Sequence, residues 1–265
     1  MFFLFKDISI NYDKRLILDN VTLDIEKGKV TTIIGKNGCG KSSLLKCLVR
    51  KNMYKGQILL DDKNLNKYSK KSLAKRLAYL PQIHEIPSDI SVETLVSYGR
   101  YPYQKFGSSL SIEDKNIIDE SIKLCGLDKL RNEMVSKLSG GEAQRAFIAM
   151  CISQQPEIFI LDEPTTYLDI SYQYEVLELV KKLNKEKNIT ILMVLHDLNL
   201  ASRYSDYIYA INDKKVYAYG TPTKVITSET LLKIFNIKAD IIEKYSKPYF
   251  IVDKIINERE NNNEI

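Results

Sequence analysis

Soft metal ligands are scarce: there are two histidines in 265 residues, and the four cysteines, at 39, 47, 125 and 151, form no C-x-x-C pair. With none of these residues clustered, neither a zinc site nor a disulfide framework is supported, and the chain fits a reducing cytosol. Long apolar runs are also missing. No window reaches the ~18 apolar residues of a membrane span, and the opening MFFLFKDISI lacks a positive leader followed by an apolar core. The expectation is a chain without its own membrane anchor. Nor does one sign of charge dominate, since 39 basic and 34 acidic residues leave a net +5. Lysines intermixed with acids read as a solvated surface, so no nucleic-acid partner is expected. Hydrophobic and charged contents of 44% and 28% are ordinary for a globular chain, which at this length forms one large domain or two lobes. Only the polar end, NERENNNEI at 257–265, reads as a frayed tail.

What is present begins with GKNGCGKS at 35–42, between an apolar run (VTTII) and a helix-like stretch (SLLKCLVR). The spacing G-x-x-x-x-G-K-S describes a loop whose backbone N–H groups can turn inward on an anion, because Gly35, Gly38 and Gly40 tolerate positive φ. The following helix offers its partial positive end, Lys41 a full charge for the β- and γ-phosphates, and Ser42 a hydroxyl for Mg²⁺. The expected ligand is a nucleoside triphosphate, against the plainer reading of a Gly-rich strand-to-helix turn.

Along the chain, FLFKDISI, LILDNVTLDI, VTTII and GQILL read as an antiparallel β layer feeding that loop. From about 91 to 155 the pattern turns helical, with a capping box at Ser111 and Asp114 and a third helix from Ser139. After it, EIFILD and ITILMVL are continuous apolar runs separated by the helical ISYQYEVLELVKKLNKEK, as in the buried parallel strands of an α/β sheet. YIYAINDKKVYAYG reads as a hairpin, and SETLLKIF as a helix capped by Ser228.

Two further motifs carry chemistry. FILDE at 159–163 ends a buried strand on two carboxylates, where open α/β sheets bind ligands. Asp162 there is expected to hold Mg²⁺, and Glu163 to polarise the water that attacks the γ-phosphate. LSGGE at 138–142 has the S-x-x-E spacing of a helix capping box, yet a Ser-Gly-Gly turn opening a helix also presents bare N–H groups to an anion. That makes a second phosphate-binding surface for which a single triphosphate has no obvious need.

The phosphate loop, Gln82 in LAYLPQ, LSGGEAQR, FILDEP, TYLD at 166–169 and LHD at 195–197 follow one another in the order of the ABC-type ATPases, and the chain resembles that family from about residue 2 to 252. The resemblance implies an α/β fold: a RecA-like nucleotide core, an N-terminal antiparallel β layer and an inserted α-helical subdomain at about 88–155, all within 1–254, then a polar tail at 255–265. It implies ATP and Mg²⁺ as cofactors. Nucleotide contacts would come from Tyr12, stacking on adenine, and from Gly35, Lys36, Asn37, Gly38, Cys39, Gly40, Lys41, Ser42 and Ser43. Two copies would pack head to tail, so that Ser139, Gly140, Gly141 and Glu142 of one close over the ATP of the other and Asp169 crosses between them. Ser42, Gln82 and Asp162 would hold the metal, and Glu163, His196 and Gln82 would form the catalytic set.

GKNGCGKSSLLKCL, VSYGRYPY, DEPTTYLDISYQYEVL and LHDLNLASRYSDYI resemble, more narrowly, the ATPases of bacterial ferric-siderophore, haem and vitamin B12 importers. Tyr167, Asp169, Ile170 and Gln173 lean towards the siderophore branch. Lys36, Ser43 and Tyr172 depart from the common proline, threonine and histidine. The implied partners are a second copy, integral-membrane permease subunits and, indirectly, a substrate-binding protein, with the chain at the cytoplasmic face of the cell membrane. The alternatives are a haem or vitamin B12 importer ATPase, or a non-transport ABC ATPase.

Overall fold

The structure, a computed structural model, describes residues 2–13, 15–49, 53–82, 88–105 and 109–256. The chain divides into two compact units, Met1–Leu65 with Leu192–Ile265, and Asn66–Ile191. The tail at 257–265 lies outside the described residues.

The first unit opens with β1 (Phe3–Tyr12) and β2 (Arg15–Ile25), followed by β3 (Val30–Gly35), helix α1 (Lys41–Leu48), β4 (Lys55–Leu60) and β5 (Lys63–Asn64). Alternation in the second half of β2 buries Val21, Leu23 and Ile25 on one face, and an antiparallel layer forms in the order β2-β1-β4-β5. VTTII does not join this layer. Lacking alternation, β3 is buried along its whole length and pairs in parallel with β9 (Tyr207–Asn212). The strands of its sheet in this unit run β10-β9-β3-β8, with β10 at Lys215–Gly220 and β8 at Thr190–Val194, the first two residues of β8 belonging to the other unit. β9 and β10 form the expected hairpin.

Helices α7 (Leu198–Tyr204), α8 (Pro222–Val225) and α9 (Ser228–Phe235) complete the unit, with a ribbon of β11 (Ile237–Lys244) and β12 (Lys247–Ile255). The cap of α9 is Thr227, one residue before the expected Ser228: extended Thr227 accepts the Thr230 N–H at 3.1 Å, while the Ser228 hydroxyl donates to the Ala239 carbonyl. The ribbon had no turn signal, because its two turn residues in left-handed backbone are Tyr245 and Ser246 rather than Asn-Gly or Asp-Gly.

The second unit holds α2 (Lys70–Ala74), β6 (Leu77–Leu80), α3 (Val92–Ser97), α4 (Ile112–Leu124), α5 (Gly140–Ser153), β7 (Ile158–Asp162) and α6 (Ile170–Lys187). β6 and β7 run parallel, in register from Leu77 with Ile158 to Leu80 with Leu161. Arg76 pairs with Glu157 at the entry to both strands. The capping boxes at Ser111/Asp114 and Ser139/Glu142 both form. Among the described residues no helix is long and apolar enough to cross a membrane.

Candidate functional site

β3 delivers the chain into the glycine-rich loop, and α1 carries it away. Gly35, Gly38 and Gly40 all take positive φ, at 153°, 76° and 105°. A Cβ on Gly35 would stand 2.5 Å from the Ile211 carbonyl oxygen, so the loop's close fit to β9 requires glycine there. Lys41, 4% exposed, folds back so that its ammonium donates to the carbonyls of Gly35 at 2.8 Å and Lys36 at 3.0 Å. The loop thus surrounds a fixed positive charge. Lys36, Asn37 and Gly38 are exposed along it, and Ser42 and Ser43 fall in the first turn of α1. Tyr12, at the end of β1, reaches the same turn through a 3.3 Å contact from its hydroxyl to Ser43 Oγ, and the residue stays 46% exposed. His196 is exposed just after β8, next to Asp197, whose carboxylate caps α7.

Burial pushes the Cys39 thiol above its usual pKa, and the nearby Lys41 charge does not offset it. The motif alone suggests the opposite, an acidified thiol at a helix N-terminus beside lysine. Desolvation is the larger effect. Burial pushes Cys47, Cys125 and Cys151 up to about 12, so maleimide labelling of the folded protein should be confined to Cys39. Its rate should still be rising at pH ~9, and saturating MgATP should slow it about tenfold or more. A plateau below pH ~8 would contradict the burial account, and labelling indifferent to MgATP would contradict the expectation that Cys39 lies against nucleotide.

In the second unit, β7 ends on Asp162, 2% exposed, whose carboxylate accepts from the Tyr79 hydroxyl at 3.1 Å. The chain then turns through Glu163 in left-handed backbone, at φ 54°. Such a conformation is uncommon outside glycine. The Gln82 amide donates to Glu163 Oε2, and the Thr166 hydroxyl approaches the same oxygen at 3.3 Å. Gln82, Asp162 and Glu163 are therefore brought together, with Tyr79 and Thr166 as partners that motif reading missed. Tyr79 is legible only as one residue of a short apolar strand. Its phenol is raised by burial and then by the Asp162 charge, so it stays a donor.

The Ser139 turn opens α5 with its capping box complete: Glu142 accepts from the Ser139 N–H at 2.9 Å and its hydroxyl at 2.8 Å, and these bonds hold the Glu142 carboxyl below the usual carboxylate range. Ser139 and Gly140 are exposed, whereas Gly141 is buried. Asp169, exposed, precedes α6 and makes no side-chain cap bond to it.

A glycine-rich loop closing on a buried lysine, with paired carboxylates after a parallel strand, defines a P-loop nucleotide-binding protein. The family model described as "ABC transporter" matches residues 18–166. The chain is 42% identical, over 96% of each sequence, to the iron(3+)-hydroxamate import ATP-binding protein FhuC of Bacillus subtilis. It is 40% identical to the ferric enterobactin transport ATP-binding protein FepC of Escherichia coli, over 90% of this chain and 88% of that one. A solved structure, the dimeric MJ0796 bacterial ABC transporter cassette, superposes with a TM-score of 0.72 at 26% identity, over 83% of this chain and 98% of that one. The chain belongs to the ABC transporter family, as an ATPase subunit coupled to transport.

Proposed function

We propose that this chain is the ATP-hydrolysing motor of an importer for ferric siderophores, working as a pair at the cytoplasmic face of the membrane beneath permease subunits supplied by a substrate-binding protein. The observation that carries the reading is 42% identity across 96% of both chains to a ferric-hydroxamate import subunit, since likeness confined to the nucleotide motifs would end well short of that span. The 88–155 segment is the inserted helical subdomain of the cassette, and the rest of 1–254 its nucleotide core and β layer.

In this reading the loop amides and Lys41 bind the ATP phosphates, with Lys36, Asn37, Cys39 and Ser43 lining the loop and Tyr12 stacking on adenine. Ser139, Gly140, Gly141 and Glu142 of the second copy close on that ATP, and Asp169 crosses between copies. Ser42, Gln82 and Asp162 hold Mg²⁺. An all-oxygen set of hydroxyl, amide carbonyl and carboxylate suits this hard cation, which needs few protein ligands when phosphate and water complete its shell. When bound, the ion neutralises charge on the phosphates. Glu163 orients the attacking water, His196 contacts the γ-phosphate, and Gln82, bonded to Glu163, senses the γ-phosphate or Mg²⁺.

Uptake of labelled ferric siderophore, haem and cobalamin should be compared in cells with and without the gene. Ferric siderophore uptake should fall in the deletion and return with a plasmid copy. Normal uptake of all three, with no redundant ATPase expressed, would refute the importer reading; loss of haem or cobalamin uptake alone would move the cargo to that branch.

A further inference from the structure

The segment VSYGRYPY holds a buried cation with several hydrogen-bond partners. Arg100 is 3% exposed and lies in the turn Tyr98–Arg100 that follows α3. Its Nε donates to Asp114 Oδ1 at 2.8 Å, and one Nη donates to the Ser153 carbonyl at 2.7 Å and Gln155 Oε1 at 3.2 Å. The guanidinium lies 3.9 Å from the ring centre of Tyr103, whose hydroxyl donates to the Gln154 carbonyl at 3.0 Å. Asp114 belongs to the capping box that starts α4, and Ser153 and Gln154 end α5. One planar side chain therefore ties the beginning of one helix to the end of another. Gly99 permits the approach, because a Cβ there would collide with the Met150 carbonyl and Ser153 Oγ. The Ser153 hydroxyl also donates back to the Val96 carbonyl at 2.7 Å.

The other end of α5 is the Ser139 turn. Fourteen residues at the helical rise make α5 about 20 Å long, so a tilt of about 3° at its C-terminus moves the Ser139 end by about 1 Å. A displacement of that size in a reacting constellation lowers rate by up to about 100-fold. We propose that Arg100 is a positioning residue for ATP hydrolysis, which sets the aim of the Ser139 turn by clamping the far end of α5. This rests on the Ser139 turn acting on nucleotide, as proposed above. Lysine preserves the charge opposite Asp114 but not the planar fork, so it cannot hold Asp114 and the Ser153 carbonyl in this geometry together.

The test is Arg100→Lys in the chain purified with its permease, reading MgATP affinity by titration, kcat and KM per folded molecule, and thermal midpoint. Arg131→Gln is the comparison, since Arg131 pairs with Glu93 and Asp119 on α3 and α4 instead of gripping α5. Arg100→Lys is expected to keep MgATP affinity within about twofold and to lower kcat about 10- to 100-fold. Arg131→Gln should lower the thermal midpoint with kcat nearly unchanged. A fall in kcat of less than about fivefold for Arg100→Lys, or an equal fall for Arg131→Gln, overturns the proposal; a larger and selective fall supports it. If Arg100→Lys does not accumulate folded, Tyr103→Phe tests the same grip without burying an unpaired charge: a kcat reduced about threefold or more supports the clamp, and a smaller change overturns it. Wild-type complex that fails to bind MgATP in the same titration would instead overturn the nucleotide reading itself.

Discussion

Glu163→Gln is expected to lower ATP hydrolysis by at least ~100-fold, the size of effect associated with a lost general base, while leaving MgATP affinity within about twofold. Glutamine keeps the length of the side chain and an oxygen that can still accept from the Gln82 amide and the Thr166 hydroxyl, so the local hydrogen bonds survive. It also lacks β-branching, and it inherits the left-handed backbone at this position with no added clash. What disappears is the negative charge proposed to orient water. With binding assigned by the proposal to the loop amides and Lys41, nucleotide should still enter, and dimers trapped with MgATP should accumulate in size-exclusion chromatography. Retention of half the wild-type rate in the purified transporter would remove Glu163 from the catalytic role and leave the Gln82–Glu163 pair as a structural contact.

Much of this site was legible because its parts are local in sequence. The three glycines with positive φ lie within six positions, the strand carrying Asp162 is a continuous apolar run, and each capping box spans four residues. Such features depend on backbone freedom, burial on both faces and short-range hydrogen bonds, all of which leave a pattern in the residue order. What could not be read depends on distant contacts. The Cys39 thiol is governed by desolvation, which no neighbour in sequence reveals, so the charge of Lys41 alone pointed the wrong way. The assignment of β3 to the parallel sheet is decided by its partner β9, far along the chain. Arg100 looks like one more surface cation in a basic chain until its bonds to Asp114 and Ser153 are seen. The glycine pair after Ser139 is a mixed case, since residue order announces a turn but does not say which glycine the fold itself requires.

Those two glycines should separate on mutation. A Cβ at Gly141 would drive into the ring of Tyr172 on α6, whereas a Cβ at Gly140 would meet Leu168 at 3.7 Å, an ordinary contact. Neither needs a left-handed backbone, so the difference is one of space. The clash at Gly141 is with ring atoms close to the Tyr172 backbone, which cannot yield without a change of rotamer on the helix. Gly141→Ala should therefore destabilise the protein by about 1–3 kcal/mol, the range for overpacking, and reduce hydrolysis about 10- to 100-fold by displacing the Ser139 turn. Gly140→Ala should leave the thermal midpoint of the isolated chain nearly unchanged, so that any loss of activity there reports contact with nucleotide or the second copy. The decisive measurement is the double variant. Tyr172→Ala removes the ring and should restore much of the stability and rate lost in Gly141→Ala, a non-additivity expected only of residues in direct contact. If Gly141→Ala is as mild as Gly140→Ala, or if Tyr172→Ala makes it worse by the full sum of the two single effects, the packing of α5 against α6 does not set the geometry of this turn.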